Sequence, residues 1–201
     1  MNTKEKTKQH FNETAFDYND SDDGKFVQEM YDVLVDEILK LDSGNILDVG
    51  CGNANLFNLL PNGKYGLFGI DFSENMIIEA NNNCNVDASF RVADAERLPF
   101  DDDTFDMIVC NASFHHYIHP NAVLCEMHRV LKDGGKVLIG DPYIPTPIRG
   151  LMNKVLKYSD EGDYHIYGLN EMESLFEDNC FSPISSQKTG RRTALHIAVK
   201  A

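Results

Sequence analysis

The sequence predicts an α/β protein, a three-layer sandwich on a mostly parallel seven-stranded sheet that ends in an antiparallel hairpin. Two observations carry this prediction. From residue 45, short apolar runs alternate with helical stretches, the signature of successive βαβ units around a buried sheet. The final stretch, "SPISSQKTGRRTALHIAVKA" (182–201), instead reads as two strands joined at Thr189-Gly190, which puts an antiparallel pair at one sheet edge. A length of 201 residues suits one domain, 1–201, with enough chain for a layered core.

Residues 1–24 are polar and read as loosely ordered, yet they carry Phe11, Phe16 and Tyr18. Aromatics stranded in a polar tail suggest a segment that docks as a lid. Residues 25–41 place apolar side chains at 26, 27, 30, 34, 38 and 41, the spacing of a helix packed beside the first strand. Strands follow at 45–50, 65–71, 88–94, 105–111 and 136–141. Helices are expected at 53–60, ended by Pro61, and at 73–83, with Ser73 as N-cap and Glu74 in its first turn. A further amphipathic helix spans 121–132 and stops at Asp133-Gly134-Gly135, and another spans 170–179. Asp101-Asp102-Asp103 forms a turn between the third and fourth strands. Residues 142–168 open with three prolines, which keep their start irregular, and this long excursion reads as a second lid.

Apolar content of 42% and charged content of 25% are those of an ordinary globular domain. No apolar run is long enough to cross a bilayer, and the N-terminus is too polar for a secretory signal, so a cytoplasmic location is expected. The five cysteines (51, 84, 110, 125 and 180) are scattered, odd in number and free of any CxxC pair; they read as reduced and mostly buried thiols. A net charge of −14 disfavours nucleic acid as a partner, because like-charged phosphates are repelled.

The chemistry concentrates in "NILDVGCGNANL" (45–56). An apolar strand meets Asp48 and then Gly50-Cys51-Gly52-Asn53. Two nucleotide-binding designs begin this way. The dinucleotide fingerprint needs a third small residue, but that position is Asn55 here. Asp71, at the end of the second strand, suits a ribose in either design. Asp48 favours the other one: a carboxylate there repels a pyrophosphate but can receive an ammonium group.

Four stretches in order extend this pattern. They are "LDVGCGNANL", "GIDFSENMI" (69–77), "VADAERLPFDDDTFDMIVCN" (92–111) and "EMHRVLKDGGKVLIGD" (126–141). Together they resemble the motifs of the class I S-adenosylmethionine-dependent methyltransferases, a Rossmann-like family. The likeness is greatest to the small-molecule branch that includes ubiquinone and menaquinone C-methyltransferases. One departure is Ala54, where that family usually has a third glycine; alanine is small enough for the backbone to pass.

This resemblance implies S-adenosyl-L-methionine as cofactor, S-adenosyl-L-homocysteine as product and a small-molecule methyl acceptor. It also implies roles. Gly50 and Gly52, with Cys51 and Asn53 between and beside them, let the backbone approach the cofactor. Asp48 holds the methionine end, and Asp71 accepts from both ribose hydroxyls. Phe72 and Met76 flank the adenine, Asp94 accepts from its amino group, and Ala95 and Glu96 line the ring. Asn111 lies near the sulfonium. Tyr18, in "NETAFDYND", matches a tyrosine that closes over the cofactor. As alternatives, Asp94 and Asp106 are solvated loop acids.

Methyl transfer to a hydroxyl, an amine or an acidic carbon can need a base. "SFHHYIHP" (113–120) follows the fourth strand and offers His115, His116 and His119, with His115 and His116, together with Tyr18, as the catalytic candidates. Tyr143, Tyr164, His165 and Tyr167 are candidates for the acceptor side; the alternative is surface packing. No metal site is expected, because adjacent histidines in a short loop seldom converge on one centre and no acid–cysteine cluster joins them. Two other functions compete with the enzyme: a cofactor-binding module without turnover, and a nicotinamide-dependent oxidoreductase.

Overall fold

A computed structural model describes residues 3–156 and 162–201. Its centre is one seven-stranded sheet. The strands are β1 (Gly44–Val49), β2 (Tyr65–Asp71), β3 (Ala88–Val92), β4 (Phe105–Asn111), β5 (Leu131–Pro142), β6 (Phe181–Lys188) and β7 (Thr193–Lys200). They lie in the order β3-β2-β1-β4-β5-β7-β6. The first five are parallel, and β7 pairs antiparallel with both β5 and β6, as the C-terminal pattern predicts. The strand order reverses between β1 and β4. Crossovers leave these two strands toward opposite faces and open a crevice at their carboxyl ends, where open parallel sheets bind ligands.

The helices are α1 (Thr3–Thr14), α2 (Asp22–Gln28), α3 (Tyr31–Ile38), α4 (Glu74–Asn83), α5 (Pro120–Val130), α6 (Ile148–Leu156) and α7 (Leu169–Asp178). Alternate residues of the central strands face opposite layers, as the period of two requires. Leu47, Val49, Ile108 and Cys110 pack with Val123, Leu124 and Met127 of α5 and with Met172 and Phe176 of α7. On the other face Ile46, Met107 and Val109 pack with Met30, Leu34 and Ile38. Asp106 is no solvated acid. Its carboxylate accepts the Asn45 N–H at 2.8 Å and the Lys132 ammonium at 2.9 Å, stapling the starts of β1, β4 and β5.

Several sequence expectations need correction. The helix expected over 53–60 shrinks to a 3₁₀ turn, Phe57–Leu59. Gly50, Gly52 and Ala54 all take positive φ (81°, 51° and 63°), which breaks any helical ladder. The apolar spacing there reflects Leu56, Phe57 and Leu60 entering the core from a loop. The helix expected over 25–41 is two helices. At the break, Glu29 and Met30 donate to carbonyls only three residues back, and the bend sends Val27 and Met30 into different clusters. The tail, expected to be loosely ordered, is helical: α1, then a 3₁₀ segment (Ala15–Asp20), then α2 capped by Ser21, whose Oγ accepts the Gly24 N–H. Asp133-Gly134-Gly135 lies within β5, as an irregularity where the register with β4 shifts, rather than before it. Cys51 and Cys110 are buried, but Cys125 and Cys180 are exposed, against the expectation of mostly buried thiols; all five are free.

Ser73 does cap α4, its Oγ accepting the Met76 N–H at 3.1 Å. Within the excursion, residues 157–161 lie outside the described ones. Among the described residues, no helix is long and apolar enough to cross a membrane.

Candidate functional site

A cleft enclosing about 1050 Å³, partly open to solvent, lies at the carboxyl ends of β1, β2 and β4. The glycine loop forms its floor. At Gly50 a Cβ would sit 2.2 Å from the Ser113 Oγ, besides facing the wrong φ. Gly52 also needs its positive φ, and it turns its N–H onto Asp71. The Asp71 carboxylate accepts that N–H at 2.9 Å through one oxygen and the Ser73 N–H at 2.8 Å through the other. One carboxylate thus ties the end of β2 to both the loop after β1 and the cap of α4. Each oxygen retains a lone pair for a ligand.

Two buried acceptors beside it have no donor among the described residues. Asp48 Oδ1 and Asn111 Oδ1 are unpartnered, and both residues line the cleft. The Asn111 Nδ2 donates to the Val27 carbonyl at 3.2 Å, while its oxygen lies on the side of Gly140. Burial, and then the nearby Asp71, push the Asp48 carboxyl up to about 7. Burial raises Asp71 to about 6, against the pull of the Ser73, Gly52 and Phe72 N–H groups. Such orphaned acceptors are costly in a dry interior. They fit a ligand that brings N–H donors and positive charge, and they would repel a phosphate.

The N-terminal segment closes one side. Lys4 reaches Asp94 (2.5 Å) and Glu96 (2.9 Å), and Lys8 reaches Glu74 (2.5 Å). Both ammonium groups lie over the Phe72 ring, at 5.5 and 5.0 Å from its centroid. Asn12 accepts from the Ser73 hydroxyl and the Asn75 N–H. Tyr18 is buried with Ala15, Val27 and Met76. Asn19 accepts side-chain N–H groups from Asn53 and Asn55, pinning this segment to the glycine loop.

Beyond Phe11 and Tyr18 the cleft continues into a second cavity of about 530 Å³. Phe11, Tyr18, Val27, Ala112 and His116 line both spaces. Its far wall holds His115, His116 and Asp163. The His115 Nδ1 lies 2.9 Å from the Asp141 carboxylate at the end of β5, and its Nε2 lies 3.4 Å from Asp163 Oδ1. The His116 Nδ1 lies 3.4 Å from that same oxygen. Burial opposes charge on His115, but Asp141 and Asp163 outweigh it and push it up to about 10. Burial and the charge on His115 hold His116 well down, so it is neutral. Burial raises the Asp141 carboxyl while His115 pulls it down.

The comparisons with known proteins agree with this geometry. Residues 47–139, which contain the glycine loop, Asp71, Asp94 and the histidine loop, match the family described as a methyltransferase domain. Over these residues the chain is similar to the class I S-adenosylmethionine-dependent methyltransferases. The chain is 34% identical over 153 residues to phosphoethanolamine N-methyltransferase 3 of Arabidopsis thaliana, covering 71% of this chain and 31% of that protein. It is 36% identical over 109 residues to a demethylmenaquinone methyltransferase of Alkalihalophilus pseudofirmus, covering 50% and 45%. Its fold matches the crystal structure of magnesium protoporphyrin IX methyltransferase from Synechocystis with a TM-score of 0.78, at 19% identity and over 100% of each chain. The chain spans less than two thirds of the length of the curated relatives it matches first.

In this chain Tyr18, Asp48, Gly50, Cys51, Gly52, Asn53, Asp71, Phe72, Met76, Asp94, Ala95, Glu96 and Asn111 all line one cleft. Their side chains are not equivalent. The Asn53 amide is spent on Asn19, and Asp94 accepts from Lys4 and from the Glu96 N–H. His115 and His116 line the second cavity, whereas His119 precedes α5 and lines neither. The four residues considered for the acceptor side line neither space. The Tyr143 ring packs under Lys188, His165 bonds Glu171, Tyr167 packs on Phe114, and the Tyr164 N–H donates to the His115 carbonyl. Sequence reasoning missed Lys4, Ser113, Tyr117, Asp141 and Asp163. Asp141 had a signal, as an acid at a strand end; Asp163 had none.

Proposed function

We propose that this protein moves the methyl group of S-adenosyl-L-methionine to a small-molecule acceptor held in the second cavity. The observation that carries the reading is the pair of orphaned acceptors, Asp48 Oδ1 and Asn111 Oδ1, beside the doubly anchored Asp71. Bound in the cleft, the cofactor supplies an electrophilic methyl on a cationic sulfur. The residues supply the rest. Asp71 accepts from the ribose hydroxyls, and Asp48 and Asn111 receive the ammonium of the methionine end. Phe72 and Met76 flank the adenine, with Asp94, Ala95 and Glu96 at its edge. Gly50 and Gly52 allow the close approach, and Cys51 and Asn53 shape the same turn.

Tyr18 and Phe11 stand between the two spaces and exclude water from the transfer. Burial raises the Tyr18 hydroxyl far above its usual range, so it serves as a wall and a positioning group rather than a base. The second cavity, partly open to solvent and lined by Phe11, Tyr18, Phe26 and His116, supports a small acceptor. The net charge of −14 supports one that is not a nucleic acid. The free thiols fit a cytoplasmic location.

Calorimetric titration with S-adenosylmethionine, S-adenosylhomocysteine and NAD, each separately, tests the reading. The first two bind and NAD does not. Binding of NAD alone would make Asp71 a dehydrogenase ribose ligand. Release of S-adenosylhomocysteine in a metabolite-extract screen then separates the enzyme from a module without turnover.

A further inference from the structure

We infer that His115, His116 and Asp163 form a binding site for a divalent transition-metal ion, of the zinc type, at the wall of the second cavity. Among the described residues, this is the group whose nitrogen and oxygen atoms converge as ligands, all within 4.8 Å of one another. The spacing favours an ion over direct bonding. Asp163 Oδ1 lies 3.4 Å from both the His115 Nε2 and the His116 Nδ1, whereas a charge-assisted N–H···O bond closes to about 2.7–2.9 Å. Ligands held at ~2.0–2.1 Å around a tetrahedral ion stand about 3.3–3.4 Å apart.

Three further observations agree. The His116 Nδ1 is buried and, among the described residues, closes no hydrogen bond, its nearest carboxylate oxygen being Asp163 Oδ1 at 3.4 Å. Asp141 binds the other nitrogen of His115 at 2.9 Å, the carboxylate–histidine support that orients metal-bound imidazoles. The charges also close: two neutral imidazoles and the carboxylates of Asp141 and Asp163 balance a divalent cation. Two imidazoles and one carboxylate suit zinc or cobalt rather than magnesium or calcium, which prefer all-oxygen sites.

The site opens on the cavity shared with His116 and Phe11, so a fourth position faces the acceptor. A hydroxyl acceptor held there loses its proton more readily, because the ion stabilises the oxygen anion. That role rests on the methyl-transfer reading; the ion site itself does not.

The experiment is titration of the chelator-stripped, full-length protein with Zn²⁺ against a chromophoric chelator, and with Co²⁺ followed by visible absorption. One equivalent of each binds, and Co²⁺ gives a d–d band of tetrahedral intensity. Asp163→Asn and His116→Ala each weaken Zn²⁺ binding by about 100-fold or more, and Asp141→Asn by about 10–100-fold. His165→Ala, next to the site but outside it, leaves binding unchanged. Retained S-adenosylhomocysteine binding shows that a variant is folded. No saturable one-to-one binding by the parent protein would overturn the site, as would equal affinity in parent and Asp163→Asn. Metal binding is read without cofactor, so its failure is distinct from failure of the cofactor titration.

Discussion

The two ends of the cleft are built in different ways. At the cofactor end, Asp48, Gly50, Gly52 and Asp71 come from two adjacent parallel strands and the loop between them, held in register by backbone pairing. At the proposed acceptor end, His115 and His116 come from a short 3₁₀ turn after β4, Asp141 from the end of β5, and Asp163 from the long excursion. The excursion is brought there by main-chain bonds, the Tyr164 and His165 N–H groups both donating to the His115 carbonyl. A site made by local strand geometry leaves a motif in the sequence, whereas a site made by a returning loop leaves almost none.

The comparison predicts that the ends can be broken separately. The largest effect belongs to Asp71→Ala. It removes the acceptor for two ribose hydroxyls, at about 1.5–3 kcal/mol for each charge-assisted bond, so cofactor affinity falls by roughly 100-fold or more. Calorimetry reads this, and equal affinity in mutant and parent would remove Asp71 from the ribose site. Asp163→Asn, at the other end, leaves S-adenosylhomocysteine affinity within about twofold; a loss comparable to that of Asp71→Ala would show that the two ends are one coupled unit.

Next in size is the pH dependence of the cofactor end. Asp48 and Asp71, raised to about 7 and about 6, are held protonated by burial. For the ligand-free protein this contributes stability that is present below their ordinary 3.8 and is lost as pH rises through 6 to 7. A cationic ligand favours the carboxylates, so its binding releases protons below about pH 7. Affinity should therefore weaken, by up to about tenfold per unit per group, as pH falls from about 7 to about 5. Titrations in buffers of different ionisation enthalpy count the protons, and proton uptake would reverse the assignment.

Smaller effects test the lid and the loop. Lys4→Ala removes partly exposed ion pairs to Asp94 and Glu96, which lowers stability by less than about 1 kcal/mol but speeds proteolytic cutting within residues 3–14. Bound cofactor should slow that cutting in the parent, and an unchanged rate would show that the segment is not a lid. Ala54→Gly is the smallest. Relief of left-handed strain, about 1–2 kcal/mol, is largely offset by the freedom glycine adds to the unfolded chain and by the lost methyl burial. Thermal unfolding should move by less than the equivalent of about 1 kcal/mol.

By itself the sequence determined the sheet, its antiparallel edge, the Ser73 cap and the turn of the glycine loop after the first strand. Period-two burial, a capping hydroxyl and paired glycines act over a few residues, and their signals survive in the order of the letters. It did not determine α1, which buries no residue of its own and is held by Asn12, Lys4 and Lys8 against distant partners. Nor did it determine the loop at 53–60, where core-facing Leu56, Phe57 and Leu60 imitate helical spacing. The convergence of His115, His116, Asp141 and Asp163 was decided only by tertiary structure. Their contacts join a turn, a strand end and a returning loop, and contacts of that range carry no periodicity for a sequence to display.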